Sequence, residues 1–238
     1  MCDHRRVGAA PDAEAASSVD LETAAPLGES RWPPALALVA FMAINVALKV
    51  WLPHEGAIRA PWAVPAVEGL LLVLLLAGPA NAAGRRWLRP LAVSLVVVLV
   101  VTALWATVFL IRDLVEGVGV TESPTKLLAS GAVVWLGNNL AFAMLYWLMD
   151  SGGPAARARR GEPEDFAFTQ HMSPELAPPG WRPVFLDYLH LGFTNATAFS
   201  PTDVMPLSHR AKYAMLVQAT IALALFALVV ARAVNAFQ

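Results

Sequence analysis

The chain of 238 residues holds a single cysteine, Cys2. An intramolecular disulfide and a cysteine metal cluster are therefore excluded. Charged side chains are scarce too, at 15% of the residues, where soluble domains carry about a quarter. The formal net charge of −1 gives no indication of nucleic acid, and none is expected as a partner. Catalytic signatures are missing as well. There is no H-E-x-x-H, no G-x-S-x-G and no glycine-rich phosphate loop, so neither an enzyme activity nor a cofactor is expected. Glu162, Glu164, Asp165 and His171 are metal-ligand types without a matching spacing elsewhere. They read as solvated loop residues, and no metal site is expected. No internal repeat of the inverted-repeat transporter kind is visible.

What the chain has instead is apolar surface. Hydrophobic residues make up 57% and the mean hydropathy is +0.55. The excess falls in blocks, at residues 33–52, 61–80, 89–111, 127–149 and 210–235, each of a length that spans a bilayer as a helix. The expected fold is all-α, a polytopic membrane helix bundle of five spans. Residues 1–30 are rich in Ala, Asp, Glu, Ser and Pro and read as a disordered tail. Because the first apolar block follows this tail and is long enough to span, it does not read as a cleavable signal peptide. Residues 31–149 form a four-helix transmembrane region, 150–181 a polar loop, and 182–238 a last unit. Trp32 and Trp51 bracket the first span, where indoles suit the headgroup level.

Polar residues inside the spans are costly unless they face protein or water. Glu68 in the second span divides evenly between an interfacial carboxylate and a functional one. Asn138 and Asn139 in the fourth suit interhelical hydrogen bonding better than pore lining. Gln218 lies between Ala214 and Ala222 on a stripe of the last span that lets a neighbouring helix approach closely.

The last unit reads D-Y-L-H-L-G-F-T-N-A-T-A-F-S-P-T-D-V-M-P-L-S-H-R from Asp187 to Arg210 and then turns apolar. Aligned without a gap, it resembles the potassium-channel pore pattern F-T-T-x-T-T-V-G-Y-G-D-x-x-P followed by an inner helix. Phe193, Thr194, Thr197, Asp203 and Pro206 stand at the matching letters. Ala198, Phe199, Ser200, Pro201 and Thr202 replace the selectivity filter T-V-G-Y-G, so potassium selectivity does not carry over. The runs F-T-N-A-T-A-F-S-P-T-D-V-M-P and V-V-A-R-A-V-N also resemble bacterial integral membrane proteins of domain of unknown function 1345. That resemblance implies a membrane protein without an established activity. Together they imply five spans plus a pore-helix-like half-membrane segment, or six spans if residues 181–200 cross fully.

Asp187, His190, Thr194 and Thr197 fall on one face of a helix. An acid and an imidazole one turn apart suit an ion or proton path; equally, they suit headgroup anchoring, with Asp187 complementing the helix dipole. Asn195, Ser200, Thr202 and Asp203 complete the set of candidate pore residues. Ser200 to Asp203 also fits a turn leading into the last helix. The expected function is a channel-like homo-oligomer in the lipid bilayer with a monovalent cation as permeant. A non-conducting structural or partner-binding membrane protein is the alternative, and a small secondary transporter using Glu68 and the Asn138-Asn139 pair is a further one.

With five spans and a cytoplasmic N-terminus, Lys49, Arg59, Arg112, Lys126 and Arg232 fall outside, and the other 12 of the 17 Lys and Arg residues fall inside. The positive-inside rule favours this orientation, and the resemblance to bacterial membrane proteins implies a bacterial plasma membrane. The half-membrane segment then re-enters from the cytoplasm. A cysteine introduced at position 158, within the basic cluster Arg157, Arg159 and Arg160, should resist an impermeant thiol reagent on intact cells. Ready labelling would reverse the orientation.

Overall fold

The computed structural model describes residues 32–51, 63–77, 82–117, 124–157, 163–197 and 203–236. The N-terminal tail, Arg159, Arg160, Glu162, and the filter-position residues 198–202, with Ser200 and Thr202, lie outside them. The helices are α1 (Trp32–Trp51), α2 (Ala63–Ala77), α3 (Ala82–Glu116), α4 (Pro124–Met149), α5 (Phe185–Thr197) and α6 (His209–Ala236). Single helical turns occur at Pro154–Arg157 and Thr169–Met172. Two short strands, β1 (Phe166–Phe168) and β2 (Val204–Pro206), pair antiparallel with Phe166 opposite Pro206 and Phe168 opposite Val204. The chain is mostly helical, and this small sheet is its departure from an all-α fold.

Three helical stretches are long and apolar enough to cross a membrane: Leu88–Glu116, Thr125–Arg157 and His209–Val234. The apolar parts of α1 and α2, Trp32–Ala47 and Val64–Leu74, are shorter. Apolar residues line both sides of these helices because lipid accepts the outer face, and the backbone bonds within each helix. α3 starts before the expected residue 89 and continues through Pro90. It also outlasts the expected end at 111. Arg112 Nε pairs with Glu116 Oε1 at 2.8 Å one turn on. Gly117, at φ +71°, then donates to Asp113 O at 2.9 Å, the left-handed stop that glycine supplies best.

Buried side chains form three connected groups. Leu38, Phe41, Leu95 and Leu99 join α1 and α3 to Ala141 and Met144 of α4. Leu110, Leu127, Val134 and Leu225 join α3, α4 and α6. Tyr146, Phe166, Phe168, Tyr188 and Leu191 join the end of α4 to the small sheet and α5. α4 takes part in all three and is the most enclosed of the three span-length helices, with 67% of its apolar window buried.

The described parts of the segment 150–181, expected as a polar loop, fold down onto the end of α4. Asp150, Asp165, Phe166 and Phe168 are each 3% exposed or less. A polar composition concealed this, because the buried polar groups here are satisfied by partners far along the chain.

α4 and α6 pack directly at Gly131. A Cβ there would lie 2.9 Å from Val229 Cγ2 and 3.1 Å from Cγ1. Gly131→Ala should therefore overpack the contact and cost about 1–3 kcal/mol. Val229→Ala in the same chain should recover most of the loss. Thermal unfolding of the purified variants measures both, and a Gly131→Ala protein as stable as the parent would refute the close contact.

Candidate functional site

The pore-like segment is built around α5. Its first turn is closed by Asp187, whose Oδ2 accepts the backbone N–H of Val184 at 2.7 Å, while Asp187 N donates to Val184 O at 2.9 Å. The carboxylate thus meets an otherwise open donor at the helix start. Phe185, Tyr188, Leu191, Gly192, Asn195 and Ala196 form the buried face. Gly192 brings this face close to α4, because a Cβ there would lie 3.4 Å from Asn139 O and 3.6 Å from Ala143 Cβ.

α5 enters the bundle and its chain comes back. Its start lies at the C-terminal end of α4, where the rings of Trp147 and Phe185 stand 6.0 Å apart. Thirteen residues carry α5 roughly 20 Å at the helical rise. Asn139, at the Gly192 contact, is about 15 Å from the α4 end on the same rise. The chain then returns, for Asp203 Oδ2 lies 2.9 Å from His190 Nε2, and β2 pairs with β1 beside Tyr188. Residues 185–197 therefore enter at the end of the bundle where residues 203–206 lie.

The expected polar stripe lies largely on the outward face. His190 and Asp203 have side chains 59% and 38% exposed. Thr197 is exposed and Thr194 half-buried. The threonine hydroxyls bond back to their own helix, Thr194 to His190 O at 3.0 Å and Thr197 to Phe193 O at 2.8 Å. Phe193 shares this face at 50% exposure and meets Trp135 edge-on at 5.5 Å. Phe185 and Leu189 pack against the α1, α3 and α4 core, on the apolar side of α5.

Asn195 does not stand with the others. It is 2% exposed and turns inward to α6, donating to Met215 O at 3.0 Å and Gln218 Oε1 at 2.8 Å. Gln218 is the centre of this inner network. Its Oε1 also accepts from Tyr146 OH at 2.6 Å, and its Nε2 donates to Gly192 O at 2.9 Å. One amide thereby joins α4, α5 and α6. Ala222, one turn on, is buried beside it, as close approach along this stripe requires.

A second set of polar residues, missed from the sequence, holds the base of the hairpin. Asp150 Oδ1 accepts Asp165 N at 2.7 Å, and its Oδ2 accepts Tyr188 OH at 2.5 Å. Asp165, expected to be solvated, is 1% exposed. Arg210 grips it with Nε to Oδ1 and Nη2 to Oδ2, both at 2.6 Å. Ser208 also donates to Asp165 Oδ1 at 2.5 Å and caps α6 by accepting Ala211 N at 3.2 Å. The cap of α6 is thus Ser208, while most of the turn expected over Ser200 to Asp203 lies outside the described residues and Asp203 itself contacts His190. Arg157 closes the end of α4, donating to Trp147 O at 2.8 Å and Asp150 O at 2.9 Å, with its guanidinium 5.0 Å from the Tyr188 ring centre. The one signal in the sequence was Arg210 at the start of an apolar helix, and nothing there names its partner. Glu164 and His171, by contrast, stay partly exposed and pair with each other at 3.3 Å.

Glu68, Asn138 and Asn139 lie apart from the hairpin's outer face. Glu68 is fully buried on α2. Asn138 donates to Thr107 Oγ1 of α3 at 2.7 Å and to Val134 O at 3.1 Å. Asn139 donates to Trp135 O at 3.0 Å. Among the described residues, no group of three or more His, Cys, Asp or Glu is arranged to hold a metal. Neither family models nor curated proteins nor solved structures provide a match to this chain.

Gln218→Leu removes the acceptor of Tyr146 and Asn195 and the donor to Gly192. It should cost about 1–3 kcal/mol. Tyr146→Phe leaves the Asn195 and Gly192 bonds in place and should cost about 1 kcal/mol or less. Equilibrium unfolding of both proteins checks the order, and the reverse ranking would remove Gln218 from the centre of the network.

Proposed function

We propose that the chain is an integral membrane protein in which α1, α2, α3, α4 and α6 span the bilayer and α5 re-enters it halfway. Several copies together enclose a hydrophilic path for a monovalent cation, lined by the outward face of α5 and its returning limb. The observation that carries this reading is the exposed His190–Asp203 pair on a helix whose Gly192 packs against Asn139 and Ala143 of α4. A charged side chain facing lipid costs up to roughly 2–3 kcal/mol, depending on its depth. Water between copies removes that cost, and a lipid-facing monomer does not.

The five-span count is supported by the hairpin's return, since α6 leaves from the end where α4 finishes. A full crossing by residues 181–200 would put them at opposite ends. With the N-terminus in the cytoplasm of a bacterial cell, the hairpin enters from the cytoplasmic side. Asp203 supplies a carboxylate to the path and His190 orients it. Without the glycine filter the path discriminates little among small monovalent cations.

A second reading is favoured by the inner network. Tyr146, Asn195 and Gln218 are turned to one another rather than to a path, as in a non-conducting scaffold that binds a membrane partner. Flux separates the two. Purified protein in liposomes should pass potassium and sodium above the protein-free rate. Asp203→Ala should lower that rate by roughly tenfold, because removing the carboxylate lowers the local cation concentration. No flux, or a strictly monomeric protein in mild detergent, would favour the scaffold.

A further inference from the structure

The α1–α4 part holds a second polar region that the proposed path does not use. Glu68 of α2, Asn45 of α1, Thr107 of α3 and Asn138 of α4 are all buried, at 0%, 7%, 2% and 4% exposure. Two glycines fix their relative level. A Cβ at Gly69 would lie 3.3 Å from Met42 Cε, and one at Gly137 would lie 3.8 Å from both Phe41 Cε2 and Ile44 Cγ2. Glu68 and Asn138 are the chain neighbours of those glycines. Asn45 follows Ile44 directly and lies one turn beyond Phe41. The three side chains therefore occupy one layer of the bundle, and Thr107 joins it through its bond to Asn138.

The orientation of the Asn138 amide is fixed by its contacts. Val134 O can only accept, so the atom 3.1 Å from it is the nitrogen. The oxygen points elsewhere and has no partner, and neither does Asn45 Nδ2. The unmet group of Asn138 is an acceptor, and the Asn45 amide, which no hydrogen bond orients, can present its N–H groups or its oxygen. Buried polar groups left open are rare, and an unobserved bound species is the usual explanation. An anion would be repelled by Asn138 Oδ1, whereas water fits either setting of the Asn45 amide. Water both accepts and donates, and buried water makes such bridges between polar groups.

We propose that α1–α4 enclose an internal water site, in which water, singly or as a short file, links Asn45 on α1 to Asn138 on α4 at the level of Glu68. The site is separate from the α5 face and does not depend on conduction there. Water at that level gives a buried carboxylate a medium for proton exchange inside each copy.

The test is a double-mutant cycle on the full-length purified protein, with Asn45→Leu, Asn138→Leu and the double variant followed by thermal unfolding. No direct hydrogen bond joins the two amides, so coupling between them comes from a mediator or from side-chain packing, and ordered water resolved in a wild-type structure separates the two. Each single variant should lower Tm by roughly 2–4 °C, and the double variant should fall by clearly less than the sum. Additive shifts would overturn the proposal. So would single variants that raise Tm, which is the result for a dry, unmatched amide replaced by hydrocarbon. The coupling should be the same in sodium, potassium and choline salts; its loss in choline would assign a metal cation and overturn the water. Should the leucine variants fail to fold, a wild-type structure that resolves ordered water decides. Density within hydrogen-bonding distance of both amides is expected, and a dry contact would refute the site.

Discussion

The carboxylate of Asp150 sits just past the last turn of α4 and is 1% exposed. It accepts the N–H of Asp165 and the hydroxyl of Tyr188, from segments 15 and 38 residues further on. A buried carboxylate is tolerable only when its oxygens are met by donors. The loop carrying Asp165 and the helix carrying Tyr188 must therefore both come to the end of α4. Once Asp165 is held there, its own buried carboxylate needs donors, and Arg210 and Ser208 at the start of α6 supply them. The placement of the hairpin is thus a chain of buried acceptors, each satisfied by the next element in sequence.

Inside the bundle the same requirement works through neutral amides. Gln218 is met on three sides by α4 and α5, and the meeting fixes how deeply α5 enters. α5 can bury one face in this way because it is amphipathic. The opposite face, with His190, Thr197 and Phe193, is left for whatever surrounds the monomer. In lipid, a surface that mixes a hydrogen-bonded imidazole and carboxyl group with aromatic rings has no favourable solvent, and this mismatch is what motivates an oligomeric path. The unmet amides of Asn45 and Asn138 pose the same question in the interior, where water answers it at lower cost than rearranging two packed helices.

Sequence alone determined the apolar blocks, because hydrocarbon selects for composition and length before any contact is made. It placed α1, α2, α4 and α6 to within a few residues, but not α3, which starts at Ala82 rather than 89 and is carried past 111 to the Arg112–Glu116 pair and Gly117. It also put Asp187, His190, Thr194 and Thr197 on one helix face, since helical period is a local property. The candidate pore set also included Asn195, but about 100° per residue carries Asn195 round to the buried side. Which face is buried was decided only by tertiary contacts: Gly192 against α4 and Asn195 against Gln218. The burial of Asp165 in a polar stretch, and the pairing of β1 with β2, were likewise invisible. Their partners lie about forty residues away, and three-residue strands carry no periodic signal of their own. Local periodicity and hydropathy can be read along one dimension; the satisfaction of a buried charge is a long-range constraint that exists only once the chain has folded back on itself.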